Sequence, residues 1–335
     1  MKVRSIVGVC TLMLIIFAIS STVIAQNGYK ISAPHSYKNL TIFLIHGKDE
    51  SSGKNVLTLQ EAMQLKVLRV YETSDVNELA VENISKQFDV FIQSGDIVKG
   101  GKQDRVLSVS IIIPARSGRI LISAFCVESG RWEKRGEEDA RQFSSSNDRL
   151  VTRDLKLAAN KSSSQQEVWA KVGEAQARLS RNVGGAVAAG TSATSLQLSL
   201  ENNKVTANSA EYMRKLANLL DGKNDVIGYA FAINGKLNSA DIYSSNALFK
   251  KLWTKMLKAT TIEAVAEFNG KSTVSNTKAA DVSLFISDSD KAKSVEKAAS
   301  GTSRITTREN NENILFESRD EKRKVIIHRS YVKKQ

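Results

Sequence analysis

The sequence predicts an α+β protein, with a strand-rich, sandwich- or barrel-like N-terminal half and a helix–β-hairpin–helix half packed on it. Short apolar runs with turn residues every ~8–12 positions fill the chain up to Val127, a spacing typical of a sandwich or barrel rather than of alternating β and α units. Apolar residues then recur at helical spacing between Gln165 and Leu179. Two further apolar runs meet at Asn234-Gly235, a dipeptide that favours a two-residue type I′ hairpin turn.

The strands of the N-terminal half are short and rich in β-branched and aromatic residues. The clearest of them covers residues 40–45. Further strands are predicted at residues 66–72, 79–84, 88–93, 106–113 and 120–127. A short helix interrupts them, because Thr58 and Glu61 match a capping box in which each side chain bonds the backbone NH group of the other residue. The polar residues 133–164 break the strand pattern, and we expect a loop with at most short elements there.

The second half combines helices with one hairpin. A capping box at Asn208 and Glu211 predicts the start of a helix, and Gly222 stands where that helix should stop. The hairpin strands are predicted at residues 226–233 and 236–243. Ser244 or Ser245 is then expected to cap another helix.

The order of these elements divides the chain into four parts. We expect a signal peptide at residues 1–25, one domain at residues 26–267, a polar linker at residues 268–281 and a small α/β appendage at residues 282–335. The appendage is predicted as a strand, a helix and two strands, at residues 282–286, 289–299, 314–317 and 325–331.

The N-terminal segment has the three-part layout of a secretory signal peptide. Lys2 and Arg4 precede a long apolar stretch, and Ala25 offers a small residue at the predicted cleavage site. A retained membrane anchor is the alternative, because the apolar stretch is close to the ~20 residues that span a bilayer. We therefore expect a secreted or periplasmic protein with no membrane span after cleavage.

Composition limits the kinds of partner, cysteine chemistry and cofactor that are expected. The net charge is +13, but Lys and Arg are dispersed among Asp and Glu, so no nucleic-acid partner is expected. Beyond residue 25 the chain has one cysteine, Cys126, which excludes an internal disulfide and favours a buried thiol over a reactive one. A Cys–His nucleophile would need a nearby histidine, and His46 is the most plausible of the three. No metal-ligand spacing is present, and no cofactor is expected.

Two polar clusters stand at the same end of a predicted strand pair. The first is residues 100–105, Gly-Gly-Lys-Gln-Asp-Arg, and the second is residues 126–132, Cys-Val-Glu-Ser-Gly-Arg-Trp. Because two apolar runs and a turn at residues 114–118 join them, we expect both clusters to share one small volume. The residues predicted to bind a ligand are Gly100, Gly101, Lys102, Gln103, Arg105, Arg131 and Trp132.

The clusters suggest anion binding. Backbone NH groups of the Gly-Gly turn can form an anion-binding concavity, to which Lys102 and Arg105 add charge, although the spacing is not that of a P-loop. Asp104 and Glu128 are the candidate general acid or base, if partly buried. The alternatives are that Glu128 forms a structural ion pair with a neighbouring cation and that Trp132 fills the edge of the core.

These clusters, together with Asp96, closely resemble the signature of the ARPP domain, a bacterial family named for its association with ADP-ribosylglycohydrolases and rhodanese-phosphatases. The resemblance extends to residues 40–43, 58–62, 227–236 and 248–253. It covers most of residues 31–267, which makes residues 26–267 an ARPP-like domain. The resemblance implies a genomic link to ADP-ribose chemistry and thus a nucleotide-like ligand, but no established reaction.

Together, the residues and the resemblance predict an exported binding domain for a small anionic or sugar-bearing, nucleotide-like ligand. A hydrolase acting on a nucleotide or ADP-ribose-type substrate is the first alternative. A structural cell-envelope protein, in which the two clusters are ion-pair staples, is the second. The oligomeric state is left open.

Overall fold

The computed structural model of the protein describes residues 23–24, 28–51, 56–162, 164–270, 276–300 and 303–335. It confirms the α+β class, with a strand-rich N-terminal half that includes a sheet curled into a half-barrel. The predicted cleavage site at Ala25 and nearly all of the predicted signal peptide lie outside the described residues. No helix within the described residues is long and apolar enough to cross a membrane.

One antiparallel sheet, the central sheet, joins the two ends of the described chain. Its strands in spatial order are Val23–Ile24, Lys30–Ile31, Leu40–His46, Val226–Ile233, Lys236–Tyr243, Val325–Lys333, Asn313–Asp320, Ser303–Glu309 and Lys293–Ser300, with His35–Tyr37 paired to Leu40–His46. The hairpin prediction is confirmed. Asn234 and Gly235 have positive φ angles of 51° and 77°, which a type I′ turn requires at both central positions.

Helices cover both faces of the central sheet near the hairpin. Leu40, Ile42 and Leu44 share a core with the helices on one face, whereas Phe43 and Ile45 belong to the core on the other face. The helices of the first face are Gln165–Asn182, Leu196–Leu200, Asn203–Leu216, the 3₁₀ segment Ala217–Leu220 and Asn246–Ala266. The helix of the second face is Ala279–Asp290.

Two smaller sheets build the N-terminal half. The larger has the spatial order Phe143–Arg149, Asp96–Gly100, Arg105–Leu107, Arg119–Cys126, Glu78–Asn83 and Leu68–Glu72, and the smaller has Ile111–Ile113, Val90–Ile92 and Leu57–Thr58. The capping box of Thr58 and Glu61 is confirmed at the start of helix Leu59–Gln64. Helix Arg153–Leu157 continues into a π-helix at Ala158–Ser162.

The predicted order of elements near the C-terminus is wrong. Residues 282–286 belong to helix Ala279–Asp290, because Val282, Phe285 and Ile286 follow helical spacing and pack into the core beneath the sheet. The helix expected at residues 289–299 is instead largely the strand Lys293–Ser300, which pairs with the next strand as a hairpin. Four successive strands therefore follow this helix.

Two further local predictions are wrong. The capping box at Asn208 does not open a helix, because the helix already begins at Asn203, where the Asn202 side chain accepts a bond from the Lys204 backbone NH at 2.9 Å. Within the polar stretch expected to be mainly loop, residues 143–149 form a full strand at the edge of the larger N-terminal sheet. The local cap at Asn202 sets the helix start, whereas pairing with strand Asp96–Gly100 forms the strand at residues 143–149.

The last strands bring the two ends of the fold together. Val325–Lys333 pairs with the hairpin strand Lys236–Tyr243, so that His328 lies beside Tyr243 and Ser330 beside Asp241. The segment predicted as an appendage is thus continuous with the central sheet. Its strands approach the N-terminal sheets and leave a cavity between them, which is described below.

Candidate functional site

The two polar clusters predicted to form a site do meet. Arg105 pairs with Cys126 across antiparallel strands, as the hairpin interpretation requires. The Asp104 backbone NH donates to Oε2 of Glu128 at 3.2 Å, and Gln103 Nε2 donates to the Glu128 carbonyl oxygen at 2.8 Å. Only residues 105–107 take part in that pairing, however, because residues 111–113 pair with strand Val90–Ile92 instead.

The two candidate acid–base carboxylates lie at the centre of the joined clusters, and both are fully buried. Asp104 accepts two bonds from Arg135, at 2.9 and 3.1 Å, and another from the Ser195 hydroxyl at 3.1 Å. Glu128 accepts a bond from Arg131 Nη2 at 2.7 Å. We call Asp104, Glu128, Arg131 and Arg135 the arginine–carboxylate cluster.

The electrostatics of this cluster keep the Glu128 carboxylate charged. Burial raises the pKa of Glu128, but hydrogen bonds from Arg131 and Ser192 outweigh it, and the net pKa is lowered. Burial likewise opposes the charge of Arg135, whereas its bonds to Asp104 and Glu138 raise its pKa overall. A general acid needs a raised pKa, so this environment favours Glu128 as an ion-pair partner.

The remaining predicted ligand-binding side chains also bond to the protein itself. Arg105 is fully buried and donates to Glu72 at 3.0 Å and to the Val76 carbonyl oxygen at 2.7 Å. Lys102 donates to the Ser74 hydroxyl at 2.9 Å. Trp132 is 45% exposed, and the cationic groups of both Lys102 and Arg105 lie within 6 Å of its ring centre. The ligand-binding role of these residues stays a prediction.

The glycine pair serves close packing. Gly101 has a φ angle of +58°, and a Cβ atom there would lie 2.3 Å from the ring of Phe143. Gly100 also has a positive φ angle, of +110°, and its NH group donates to Asp104 at 3.1 Å. Both glycines are therefore required by the local backbone.

Cys126 is a buried thiol, as the sequence analysis favoured. Burial is the main reason that its pKa is raised to about 11, although the Arg105 charge opposes the rise. A thiol with this pKa is almost fully protonated at neutral pH and is a poor nucleophile. The Nδ1 atom of His46, the partner considered for it, instead lies 3.0 Å from the Asp225 carboxylate.

A second candidate site lies in a cavity of about 160 Å³ between the N-terminal sheets and the C-terminal strands. We call it the Arg149 cavity. Its ionisable lining residues are Arg149, Lys156, Asp241 and His328. Its lining is also rich in hydroxyl groups, from Ser94, Ser108, Ser110, Ser123, Ser318 and Ser330. Alternate residues of the C-terminal strands point to it, as the period of a β-strand dictates.

Arg149 supplies the main charge of the cavity. The side chain is 5% exposed, and its Nη2 donates to the Ser94 carbonyl oxygen at 2.7 Å while Nη1 donates to the Met256 sulfur at 2.7 Å. Its Nε has no partner among the described residues. Burial lowers the pKa of Arg149, but the negative charge of Asp241 and other groups outweighs it and raises the pKa overall. The guanidinium therefore stays charged without a hydrogen-bonded carboxylate in the described chain.

Ser110, His328 and Asp241 form a hydrogen-bonded triad at the wall of this cavity. Ser110 Oγ lies 3.0 Å from His328 Nδ1, and His328 Nε2 lies 3.0 Å from Asp241 Oδ1. All three residues are buried. Burial raises the pKa of Asp241, but the hydrogen bond from His328 and the charge of Arg149 lower it overall.

Neighbouring groups fix the orientation of the triad. The His328 ring stacks on Tyr243 with centroids 4.7 Å apart and an interplanar angle of 17°. The backbone NH of Ser94 donates to Ser110 Oγ at 3.0 Å, which leaves the Ser110 proton free to point at His328 Nδ1. A π-helix at Ala158–Ser162 places Asn160 beside the same cavity, and such segments are frequent at functional sites.

The lysine of the cavity has a partner. Lys156 Nζ lies 3.6 Å from Oε2 of Glu263 and 5.2 Å from the centre of the Phe231 ring. Burial raises the pKa of Glu263, although Lys156 opposes the rise. Within the described chain, no group of three or more His, Cys, Asp and Glu side chains is placed to hold a metal ion.

Comparison with known protein families identifies the family of this chain. The profile of the ARG and Rhodanese-Phosphatase-superfamily-associated Protein domain, the ARPP domain, matches residues 28–332. The chain belongs to this family. The resemblance seen in the two polar clusters is thereby confirmed. The match runs beyond residue 267 and includes all three members of the triad. No curated protein and no solved structure matches the chain.

Sequence reasoning missed the triad because its members are far apart in the chain. Ser110 and His328 are 218 positions apart, and Asp241 and His328 are 87 apart, so no local motif contains them. One signal was available. Asp241 and His328 are ionisable residues within predicted β-strands, and an ionisable residue buried in a strand requires a partner.

Proposed function

We propose that this ARPP domain is a binding domain for a small anionic or sugar-bearing ligand, and that the Arg149 cavity is its binding site. The single observation that carries the proposal is the state of Arg149. Buried charges in proteins are normally paired with an opposite charge. The hydrogen bonds of Arg149 within the described residues go to a carbonyl oxygen and a sulfur, and its Nε has no partner.

The chemistry of the lining supports an anion. Among the lining residues, Arg149 and Lys156 carry positive charge and Asp241 supplies the one carboxylate; Lys156 is also paired with Glu263, so Arg149 is the cation left for a ligand. A guanidinium can bind a phosphate or carboxylate through two parallel hydrogen bonds. The surrounding serine hydroxyls both donate and accept, which suits the hydroxyl groups of a sugar.

The cavity volume sets the size of the bound group. A cavity of about 150 Å³ holds a benzene-sized molecule. The Arg149 cavity, at about 160 Å³, therefore suits a phosphate, a small carboxylate or one sugar ring. A larger nucleotide-like ligand would place only one end inside it.

The location of the protein is part of the same proposal. We propose that the chain is exported and cleaved after Ala25, on the basis of the basic and apolar pattern of residues 1–25. The intact mass of the protein recovered from the cell envelope and the medium tests this. A mature chain beginning at Gln26 is expected, whereas a full-length mass in membranes would indicate a retained anchor.

The binding proposal is tested by thermal unfolding of residues 26–335 with inorganic phosphate, ribose 5-phosphate, ADP-ribose and small carboxylates. A ligand that binds only the folded state stabilises it by about 2.7 kcal/mol at a hundredfold excess over Kd. At least one of these anions is expected to raise the midpoint, and Arg149→Met should remove that rise.

Arg131→Met is the matched control, because it removes a buried arginine from the arginine–carboxylate cluster. It should lower the midpoint without ligand but keep the ligand-induced rise. If the ligand-induced rise in midpoint persisted in Arg149→Met and disappeared in Arg131→Met, the ligand would bind at the polar clusters predicted from the sequence. No rise with any compound would contradict the binding function.

A further inference from the structure

We infer that Ser110 is the nucleophile of a hydrolytic site for small carboxylic esters that carry an anionic group. The inference rests on the proposed anion-binding role of the Arg149 cavity. It is carried by the Ser110–His328–Asp241 triad, whose two hydrogen bonds are each 3.0 Å long and whose serine lines the cavity.

The triad has the hydrogen-bond directions that a nucleophile needs. In the neutral tautomer that carries its proton on Nε2, His328 donates to Asp241, and Nδ1 is then the basic nitrogen of the ring. Nδ1 can then accept the Ser110 proton. The ring nitrogens are used in the opposite sense from the usual serine hydrolase arrangement, but either nitrogen of a neutral imidazole can act as the base, and the triad is recognised by geometry and roles.

The cavity adds the other parts of a reaction site. Arg149 lines the cavity, so its guanidinium places a positive charge beside an anionic or developing negative oxygen. The stacked Tyr243 ring and the buried Asp241 hold the imidazole in one orientation. A serine, a base, an orienting carboxylate and a cationic group thus surround one small space.

The expected reaction balances as an ester hydrolysis. Ser110 Oγ forms a bond to the acyl carbon while its proton moves to His328 Nδ1, and the alcohol leaves with that proton as its C–O bond breaks. Water then attacks the acyl-serine carbon and gives one proton to Nδ1. The Ser110 oxygen departs and takes that proton, so ester and water become acid and alcohol.

Covalent labelling tests the nucleophile without any variant. The mature protein is incubated with methanesulfonyl fluoride, which is small enough for the cavity, and digested for peptide mass spectrometry. We expect a sulfonyl adduct on Ser110 that anionic ligands of the cavity slow. Ser108 and Ser123 line the same cavity outside the triad and should stay unlabelled. Absence of an adduct on Ser110, or equal labelling of all three serines, would overturn the inference.

Turnover gives the second readout, with 4-nitrophenyl acetate beside a 4-nitrophenyl ester whose acyl chain ends in a carboxylate. Ser110→Ala and His328→Gln should each lower kcat by at least about 1000-fold, as removal of a triad member does elsewhere. Ser144→Ala, which changes an exposed serine outside the cavity, should leave kcat unchanged. Arg149→Met should raise KM for the anionic ester far more than for the acetate. Equal turnover by wild type and Ser110→Ala would overturn the inference.

The two proposals can fail separately. Ser110→Ala should keep the ligand-induced rise in unfolding midpoint, because it leaves Arg149 and the cavity in place. A rise without labelling or turnover would remove the hydrolase and keep the binding domain. Labelling of Ser110 without any anion-dependent rise in the unfolding midpoint would keep the nucleophile and remove the anion-binding role.

Discussion

The arginine–carboxylate cluster and the Arg149 cavity both bury arginine, but they treat its charge differently. In the cluster, Arg131 and Arg135 each bond a buried carboxylate at 3 Å or less. In the cavity, Arg149 bonds a carbonyl and a sulfur. Arg131 also has an Nε without a partner, so an unpartnered atom alone does not separate the two sites. The difference lies in where the neutralising negative charge sits.

This difference distinguishes a structural ion-pair cluster from a ligand-binding site. The cluster supplies its own anions and needs no ligand to balance its charge. The cavity keeps a buried cation beside open space, an arrangement that a bound anion would complete. Consecutive charged residues in a sequence therefore indicate where ionic side chains come together in the fold. Whether such a site can bind a ligand depends on whether its positive and negative charges already neutralise one another.

The largest expected stability effect is in the cluster. Asp104→Ala should lower the free energy of unfolding by about 3–5 kcal/mol, because removing one partner of a buried ion pair leaves the other charge uncompensated. Chemical denaturation measures this loss. Arg149→Met should cost clearly less, since no hydrogen-bonded carboxylate is left behind. An equal decrease in the free energy of unfolding in the two variants would contradict the proposed difference between the cluster and the cavity.

Gly101→Ala should come next, with a loss of about 2 kcal/mol. The new methyl group would lie 2.3 Å from the Phe143 ring in a backbone conformation that suits glycine. Gly118→Ala is the matched control, because Gly118 also has a positive φ angle, of +64°, but no atom within 4 Å of the added carbon. Similar losses would attribute the effect to φ alone, rather than to the packing of the clusters.

The acid sensitivity of the cluster is a smaller effect. The folded pKa of Glu128 is lowered, so the unfolded state binds more protons near pH 4.5 and stability falls as the pH drops below that value. Glu128→Gln should flatten this part of the stability curve, measured by denaturation between pH 3 and pH 7. An unchanged slope would show that Glu128 is not held charged by Arg131.

Trp132→Ala should have the smallest effect. Trp132 is 45% exposed, and cation–π contacts at exposed sites contribute about 0.5–1 kcal/mol. We expect a loss near 1 kcal/mol by denaturation and no change in the ligand-induced rise of the midpoint. If the rise disappeared in Trp132→Ala, the ligand would bind at the predicted clusters rather than at the Arg149 cavity.

The sequence predicted the elements whose signals are local. The capping box at Thr58, the Asn234-Gly235 hairpin and the meeting of the two clusters are all confirmed. Periodicity failed at residues 282–299, where Val282, Phe285 and Ile286 suit a buried helical face as well as a short strand. Helix and strand interpretations of so short an apolar run are not separable without its partners.

The cavity could not be predicted for a physical reason. Its residues come from strands distant in the chain, and only the pairing of Lys236–Tyr243 with Val325–Lys333 brings Asp241 and His328 together. The predicted C-terminal order placed a helix among those final strands, so it did not indicate this pairing. The charges of the clusters were visible because they are consecutive, whereas the charge balance around Arg149 depends on the tertiary structure.

The most direct test of the central claim is a crystal structure of the mature protein with inorganic phosphate or ribose 5-phosphate, at a concentration that saturates the rise in unfolding midpoint. The account predicts the anion in the cavity, hydrogen-bonded to Arg149 and surrounded by the serine hydroxyls. An anion bound instead beside Lys102, Arg105 and Trp132, with the Arg149 cavity holding none, would contradict it.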